Sequence, residues 1–390
     1  MSSLVSFRSV RAASPVFLVA VLCAGCPQTP PASDAGPADG GSGCAAPARC
    51  IATMTSLGVI PGATQATAIA VAGGEVFVGT DVGVFRRALD ASSEWTLAGL
   101  AGLEVTVVRA HPTDSRLLVA GIVGGLGPPV FISVDGGTNW TQTGDEFLPM
   151  PPEPAIYDSA HDVAFDSAGA ILVNANASAI VRSNDRGASW MYVDGSPGHF
   201  GYACYLAVDG PTLLQGCELP LDSAWIDRME LTPAGLGPRT RVVGLEQISN
   251  RRPNALVTSP HYPGRVWAGL EGGLIWIEGS TWGWIYQATE ETADYVYVRG
   301  VWIDPDDRRH LVFGGIGNAE GRLPLLETFD DGESRAWAEL PEAVNSPYWG
   351  ISAMANTGRG DDRVVMAVTA TATPIDDGGT AYVFVRAHRR

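Results

Sequence analysis

The residues of this chain that could carry out chemistry are scattered charges rather than a compact motif. Asp162 and Asp294 each lie just ahead of a predicted strand, and two carboxylates can serve as the acid and the base of glycoside hydrolysis. No spacing rule selects this pair, and solvated turn carboxylates are the favoured interpretation. Four arginines could surround a channel and hold an anionic ligand, although in a chain without lysine they are ordinarily surface charges: Arg109, Arg182, Arg252 and Arg299.

Short catalytic and metal-binding motifs are absent from the sequence. It contains no Gly-x-Ser-x-Gly elbow, His-Glu-x-x-His helix, phosphate loop or calcium-loop pattern. The acidic run at 304–307 falls at a predicted turn, where solvated carboxylates are the favoured interpretation over a cation site. No histidine stands at ligand spacing to a cysteine. We therefore expect neither a metal nor a cofactor.

Aromatic residues concentrate between positions 276 and 302 and at Tyr348-Trp349. Aromatic faces at the mouth of a channel suit stacking on sugars or clamping a peptide. Packing in the core is the favoured interpretation for most of these residues. The candidate ligand-binding residues are those expected at one end of a central channel: His161, Tyr295, Tyr297, Arg299 and Trp349.

Three octets share the pattern of a hairpin turn closed by its own side chains. In the pattern Ser-x-Asp-x-Gly-x-Ser-Trp the Asp can accept hydrogen bonds from turn amides, and the Gly adopts a backbone angle that other residues resist. The Ser or Asn in the seventh place caps the exit, and the Trp packs under the loop. The third octet is eroded, with its tryptophan displaced to Trp337. The pattern residues are Ser133, Asp135, Gly137, Trp140, Ser183, Asp185, Gly187, Trp190, Thr328, Asp330 and Gly332.

This octet resembles the Asp-box of bacterial neuraminidase repeats, which occurs in sialidases, sortilin-type receptors, xyloglucan-cleaving glycosidases and photosystem II assembly factors. The resemblance implies a structural turn on the outer rim of a β-propeller and says little about chemistry. The Arg-Ile-Pro segment of sialidases is absent here. Xyloglucan-cleaving enzymes place one carboxylate in each of two propellers, and this chain has room for one. A single propeller like that of sortilin or the photosystem II assembly factors fits best.

A repeated strand pattern independently predicts the same fold. An apolar second strand that usually ends in a small residue recurs every roughly 40–50 residues, the period of propeller blades. The last unit lacks a fourth strand, and the segment Ser56 to Ile60 can supply it and close the ring. We predict an all-β, seven-bladed propeller of four-stranded antiparallel blades. The second strands begin at Val76, Leu118, Ile171, Leu213, Val266, Leu311 and Val364.

The N-terminus predicts export. Arg8 and Arg11 precede a short apolar run, and Cys23-Ala24-Gly25-Cys26 resembles a bacterial lipobox in which Cys26 would be acylated. The alternative is an ordinary cleaved signal peptide. Residues 1–25 are thus a predicted lipoprotein signal peptide, residues 26–49 a Pro/Ala/Gly/Asp-rich disordered tether, and residues 50–390 the propeller.

Four further cysteines in an exported chain suggest two disulfides. Cys44 and Cys50 would close a loop where the tether meets the propeller. Cys204 and Cys217 lie at equal distances from the predicted turn Gly210-Pro211, which places them opposite each other on paired strands. Buried free thiols are the alternative for this second pair.

The overall charge narrows the class of partner. A formal net charge of −17 argues against binding nucleic acid, because no basic patch is evident. We predict a monomeric, extracytoplasmic binding or scaffolding module of the cell envelope, in contact with the membrane only through its lipid anchor. Its ligand would be an unidentified protein or glycan at the channel mouth. The alternative function is a glycan-active hydrolase, sialidase-like or other, on the same fold.

Overall fold

The structure is a computed structural model, and the described residues belong to the unit Cys50–Arg390. They are 54–89, 93–124, 129–144, 159–175, 179–194, 203–219, 223–243, 248, 251–288, 296–317, 324–337, 348–356, 364–371 and 379–386. The predicted signal peptide and tether, with Cys26, Cys44 and Cys50, lie outside these ranges. None of the described residues belongs to a helix long and apolar enough to cross a membrane.

Twenty-nine strands are present in the described ranges. Their bounds are β1 Met54–Val59, β2 Ala66–Ala72, β3 Glu75–Thr80, β4 Gly83–Ala88, β5 Thr96–Gly99, β6 Val105–Ala110, β7 Leu118–Ile122, β8 Val130–Ser133, β9 Thr141–Thr143, β10 Asp162–Phe165, β11 Ile171–Ala175, β12 Ala179–Ser183, β13 Met191–Asp194, β14 Ala203–Asp209, β15 Thr212–Leu219, β16 Ser223–Thr232, β17 Gly235–Leu236, β18 Thr240–Val243, β19 Pro253–Thr258, β20 Arg265–Leu270, β21 Gly273–Glu278, β22 Thr281–Gln287, β23 Val296–Ile303, β24 Leu311–Gly317, β25 Leu325–Thr328, β26 Ala336–Trp337, β27 Tyr348–Asn356, β28 Val364–Thr371 and β29 Gly379–Arg386.

These strands form antiparallel sheets in chain order. Four-stranded meanders run over β2–β5, β6–β9, β10–β13, β19–β22 and β23–β26. The fourth sheet, β14–β18, differs from the predicted pattern because its ten-residue strand β16 pairs with two short strands, β17 and β18. The last sheet is β27, β28, β29 and β1, and the single pair Ile316–Gly350 links it to the sheet before it.

Strand β1 connects the first sheet to the last. It pairs antiparallel with β29, and Leu57 and the following Ile60 are buried. The carbonyl oxygen of Leu57 accepts a hydrogen bond from the Trp95 indole of the first sheet at 3.0 Å, and another from the Arg87 guanidinium. An N-terminal segment is thus held by both sheets.

The first strands of the sheets, here called the inner strands, lie side by side and run in the same direction. Thr67 near the start of β2 donates to the carbonyl oxygen of Val105 at the start of β6. His111, just after β6, packs against Phe165 at the end of β10, so starts meet starts and ends meet ends. Contacts pass in turn through β2, β6, β10, β14, β19, β23 and β27, and β27 also contacts β2. Four-stranded antiparallel sheets in this arrangement fit a β-propeller.

Five inner strands carry a β-bulge at the same level of the sheet. In each, one extra, unpaired residue lies between two residues that pair with the second strand. The later of these two pairs with a small residue, for example Gly121 of β7. A side chain at Gly121 would lie 2.8 Å from Ala160, so the small residue is needed where the next sheet approaches. The bulge residues are Thr67, Thr106, Asn254, Arg299 and Ser352.

The three octets connect third and fourth strands and share one set of hydrogen bonds. In the second, the Ser183 hydroxyl donates to Asp185 at 2.8 Å and accepts from the Gly187 amide at 2.7 Å. Asp185 accepts from both the hydroxyl and the amide of Ser189, and these bonds lower its pKa to about 2. Trp190 is buried, and its indole donates to Thr143 of the preceding sheet.

The octet glycines also touch the preceding sheet. Gly137 has a φ of 79°, and a Cβ there would lie 2.6 Å from the ring of Phe77 on β3. A Cβ at Gly187 would collide with Ile132 of β8. Each of these glycines therefore serves both the turn and the packing between sheets.

Candidate functional site

The inner strands enclose a central cavity of about 850 Å³. All of them contribute to its wall. Polar residues come mostly from the starts of the strands, whereas Val71, Phe165, Val208 and Val257 near the ends are apolar. The cavity wall is therefore more polar toward the starts of the inner strands, although Arg109 and Thr258 add polar groups near the ends of β6 and β19.

The five bulge residues form a polar ring in this wall, and all five line the cavity. A bulge turns a side chain out of the regular alternation and is frequent beside functional sites. Thr67 and Thr106 donate to carbonyl oxygens of the following sheet. Asn254 donates to the Arg252 carbonyl oxygen at 3.2 Å, and Ser352 lies 3.3 Å from the Thr369 hydroxyl. Four members of the ring thus have hydrogen-bond partners within the fold, and the bonds of Thr67 and Thr106 reach beyond their own sheets.

Arg299 is the fifth member and differs from the others in size, charge and environment. Its side chain is exposed, whereas the other four are half-buried. No hydrogen bond or ion pair joins the Arg299 guanidinium to any described residue. The backbone pair Ile316–Gly350 links its sheet to the next, so the bulge side chain is not required for that contact. Arg299 is the side chain of the ring best placed to bind a ligand.

A second arginine at the cavity, Arg109, is already paired. It lies 2.9 Å from the Asp162 carboxylate, which is almost fully buried at 2% side-chain exposure. Asp162 also accepts from the amides of Val163 at 2.9 Å and Leu206 at 3.0 Å. Because its oxygens are occupied and shielded, Asp162 connects three inner strands and is poorly suited to proton transfer.

The other predicted ligand residues are distributed differently. His161 lines the cavity just ahead of β10. Tyr297 lies beside the neighbouring sheet; burial and a hydrogen bond to Glu271 raise its pKa. Trp349 belongs to strand β27, and Tyr295 lies outside the described residues. The structure thus brings His161 and Arg299 to one cavity and gives Tyr297 a protein partner.

The remaining charge candidates serve the fold. Arg182 is buried on a third strand, where it binds Asp166 at 2.6 Å and the Thr232 carbonyl oxygen at 2.9 Å. Arg252 pairs with Glu271 at 3.0 Å. Asp294 lies outside the described residues. No group of three or more His, Cys, Asp or Glu side chains within the described ranges is placed to hold a metal ion.

The predicted disulfide is confirmed. Cys204 and Cys217 face each other on β14 and β15 and are bonded, next to Trp225. This disulfide stiffens the start of the inner strand β14, which contributes Tyr205 and Leu206 to the cavity wall.

Solved structures similar to this chain share its fold at low identity. YCF48 bound to D1 peptide aligns with a TM-score of 0.55 at 13% identity, covering 86% of this chain and 97% of that one. The GH74 xyloglucanase from Xanthomonas campestris aligns with a TM-score of 0.59 at 16% identity, covering 85% of this chain and 55% of the enzyme, so the chain spans about half its length. A chain of the mitotic checkpoint complex aligns with a TM-score of 0.56 at 13% identity, covering 87% of this chain and 95% of that one. No family model and no curated protein matches the chain. At these identities the likeness shows the β-propeller fold alone.

Proposed function

We propose that this protein is a binding module that holds a peptide segment of a protein partner in its central cavity. The observation that carries the proposal is Arg299, an exposed cation in a ring of bulge residues whose other members are bonded within the fold. A cavity of about 850 Å³ has the size of ordinary ligand sites.

The wall supports binding better than hydrolysis. A glycosidase needs two carboxylates flanking the scissile bond. Of the described carboxylates in the wall, Asp162 is shielded and bonded to Arg109 and two amides, which leaves Glu104. One accessible carboxylate suits recognition of a charged ligand more than acid–base catalysis.

The similar structures are compatible with a peptide ligand. YCF48 is seen bound to D1 peptide, and a propeller chain is part of the mitotic checkpoint complex. The GH74 xyloglucanase shows that the fold also hosts glycosidases, but it is almost twice as long as the aligned region. A protein partner is therefore the ligand class that we favour.

We further propose a closed ring of seven blades, with β1 as the outer strand of the last blade. The pairing of β1 with β29 and the contact of β27 with β2 support it. The octet hydrogen bonds support assigning these turns to the Asp-box family.

The location of the protein is also part of the proposal. The lipobox-like Cys23-Ala24-Gly25-Cys26 and the tether to residue 49 support a location on the outside of a bacterial membrane, with an anchor at Cys26. The cavity would then face partners in the cell envelope.

Photo-crosslinking from inside the cavity tests the binding function. A photoreactive phenylalanine analogue would replace Ile316, an exposed residue of the cavity wall, in one variant and Arg116, an exposed arginine outside the cavity wall, in the control, so that Arg299 stays in place. We expect a protein adduct in the cell envelope from position 316 and none from position 116. No adduct at 316, or the same adducts at both positions, would contradict the proposal. Release of reducing sugar from xyloglucan or sialylated oligosaccharides by the wild type would favour the hydrolase instead.

A further inference from the structure

Two charges in the cavity wall have no partner among the described residues. Four acidic or arginine side chains line the cavity, and two of them, Arg109 and Asp162, bind each other. The remaining two, Glu104 and Arg299, are both exposed, and neither the carboxylate nor the guanidinium forms a hydrogen bond or an ion pair within the described ranges. The fold therefore leaves one anion and one cation available to a ligand.

These two charges lie on opposite sides of the cavity. Glu104 immediately precedes β6, and Arg299 lies on β23. Along the succession of inner-strand contacts, β10, β14 and β19 separate them on one side, and β2 and β27 on the other. They are thus placed to act on separate parts of one ligand rather than to neutralise each other.

We propose that the cavity selects a dipolar peptide, with a basic side chain toward Glu104 and an acidic side chain toward Arg299. This inference rests on the peptide-binding function proposed above. A neutral ligand would bury both charges without partners, which costs free energy. A purely acidic or purely basic segment would meet one attraction and one repulsion. Only a segment with both signs satisfies both sides of the wall.

The test uses four mixtures of short synthetic peptides with randomised small and apolar positions. One mixture carries a fixed Arg and a fixed Glu in both orders and at varied separations, and in the others Gln replaces the Arg, the Glu or both. Each mixture is passed over immobilised protein, and retention is measured by mass spectrometry. The variants are Glu104→Gln, Arg299→Gln and the charge-swapped double variant E104R/R299E, with Glu94→Gln and Arg116→Gln as controls outside the cavity wall.

We expect the wild type to retain the Arg-plus-Glu mixture about fivefold more than the neutral one, as for a partly exposed ion pair. Glu104→Gln should remove the preference for Arg, and Arg299→Gln the preference for Glu. The charge-swapped variant should regain the dipolar preference, with the order of the two charges reversed. Both controls should match the wild type.

The outcomes separate the two proposals. Equal retention of all four mixtures by the wild type would overturn the dipolar selectivity and leave peptide binding intact. A charge preference that survives unchanged in both single variants would overturn it as well. Retention of no mixture by the wild type would contradict the peptide-binding function itself. Thermal unfolding of each variant confirms that retention is compared between folded proteins.

Discussion

Adding one methyl group at either of two adjacent glycines tests whether the octets hold neighbouring sheets together. Gly136 and Gly137 both have positive φ, 73° and 79°. A Cβ at Gly136 meets no heavy atom within 4 Å, whereas a Cβ at Gly137 lies 2.6 Å from the buried ring of Phe77 in the preceding sheet. The two substitutions by alanine therefore share the backbone strain and differ in the collision.

The expected magnitudes follow from these two contributions. Placing alanine in the left-handed region costs about 1 kcal/mol. Overpacking a buried contact adds about 1–3 kcal/mol. Gly136→Ala should therefore lower the free energy of unfolding by about 1 kcal/mol and Gly137→Ala by about 2–4 kcal/mol.

Equilibrium urea unfolding, followed by tryptophan fluorescence, measures both values. If the two variants lose the same stability, the octet is only a local turn and its glycine does not pack on the preceding sheet. If Gly136→Ala is the more damaging variant, the described contact with Phe77 is wrong.

Three further predictions address the anchor, the turns and β1. Cys26→Ser should abolish the incorporation of labelled fatty acid, and equal labelling of variant and wild type would exclude the lipoprotein assignment. Hydrogen bonds lower the pKa of Asp135 and Asp185 to about 2, below the usual value. The stability that these two ionised carboxylates contribute should therefore be present above pH ~4 and be lost as pH falls toward 2. Replacing both residues by Asn should flatten the dependence of stability on pH in that window. Deleting residues 27–43 should leave the melting temperature unchanged. Deleting residues 54–60 should lower stability by several kcal/mol and promote aggregation through the exposed edge of β29. Equal melting temperatures of the two deletion variants would refute the role of β1.

The strand pattern could be predicted from the sequence because it has a local physical cause. Small residues recur at the ends of second strands, and each sits where the next sheet comes close. At Gly79 a Cβ would lie 2.7 Å from Val105, and at Gly121 it would lie 2.8 Å from Ala160. The disulfide was predictable for a similar reason, since equal distances from a turn define opposite positions in a hairpin.

The bulges were not predicted, because a bulge depends on the pairing of two strands rather than on one segment. A signal was nevertheless present in the sequence. Thr106, Asn254, Arg299 and Ser352 each precede the small residue of the second strand by the same number of positions, as in Arg299 and Gly314. The state of Asp162 could not be predicted either, since its partners Arg109 and Leu206 belong to two different sheets.

Under the binding function proposed above, the bulge ring determines where this protein can change its specificity during evolution. Substituting Thr67 or Thr106 would remove a bond between sheets, so a new ligand contact there would come with a loss of stability. At position 299 the neighbouring sheets are already joined through the backbone of Ile316 and Gly350. Tolerance of substitution and exposure to the cavity therefore coincide at position 299 of the ring. A lineage carrying this fold can exchange the residue at 299 and acquire a different partner while the scaffold stays the same.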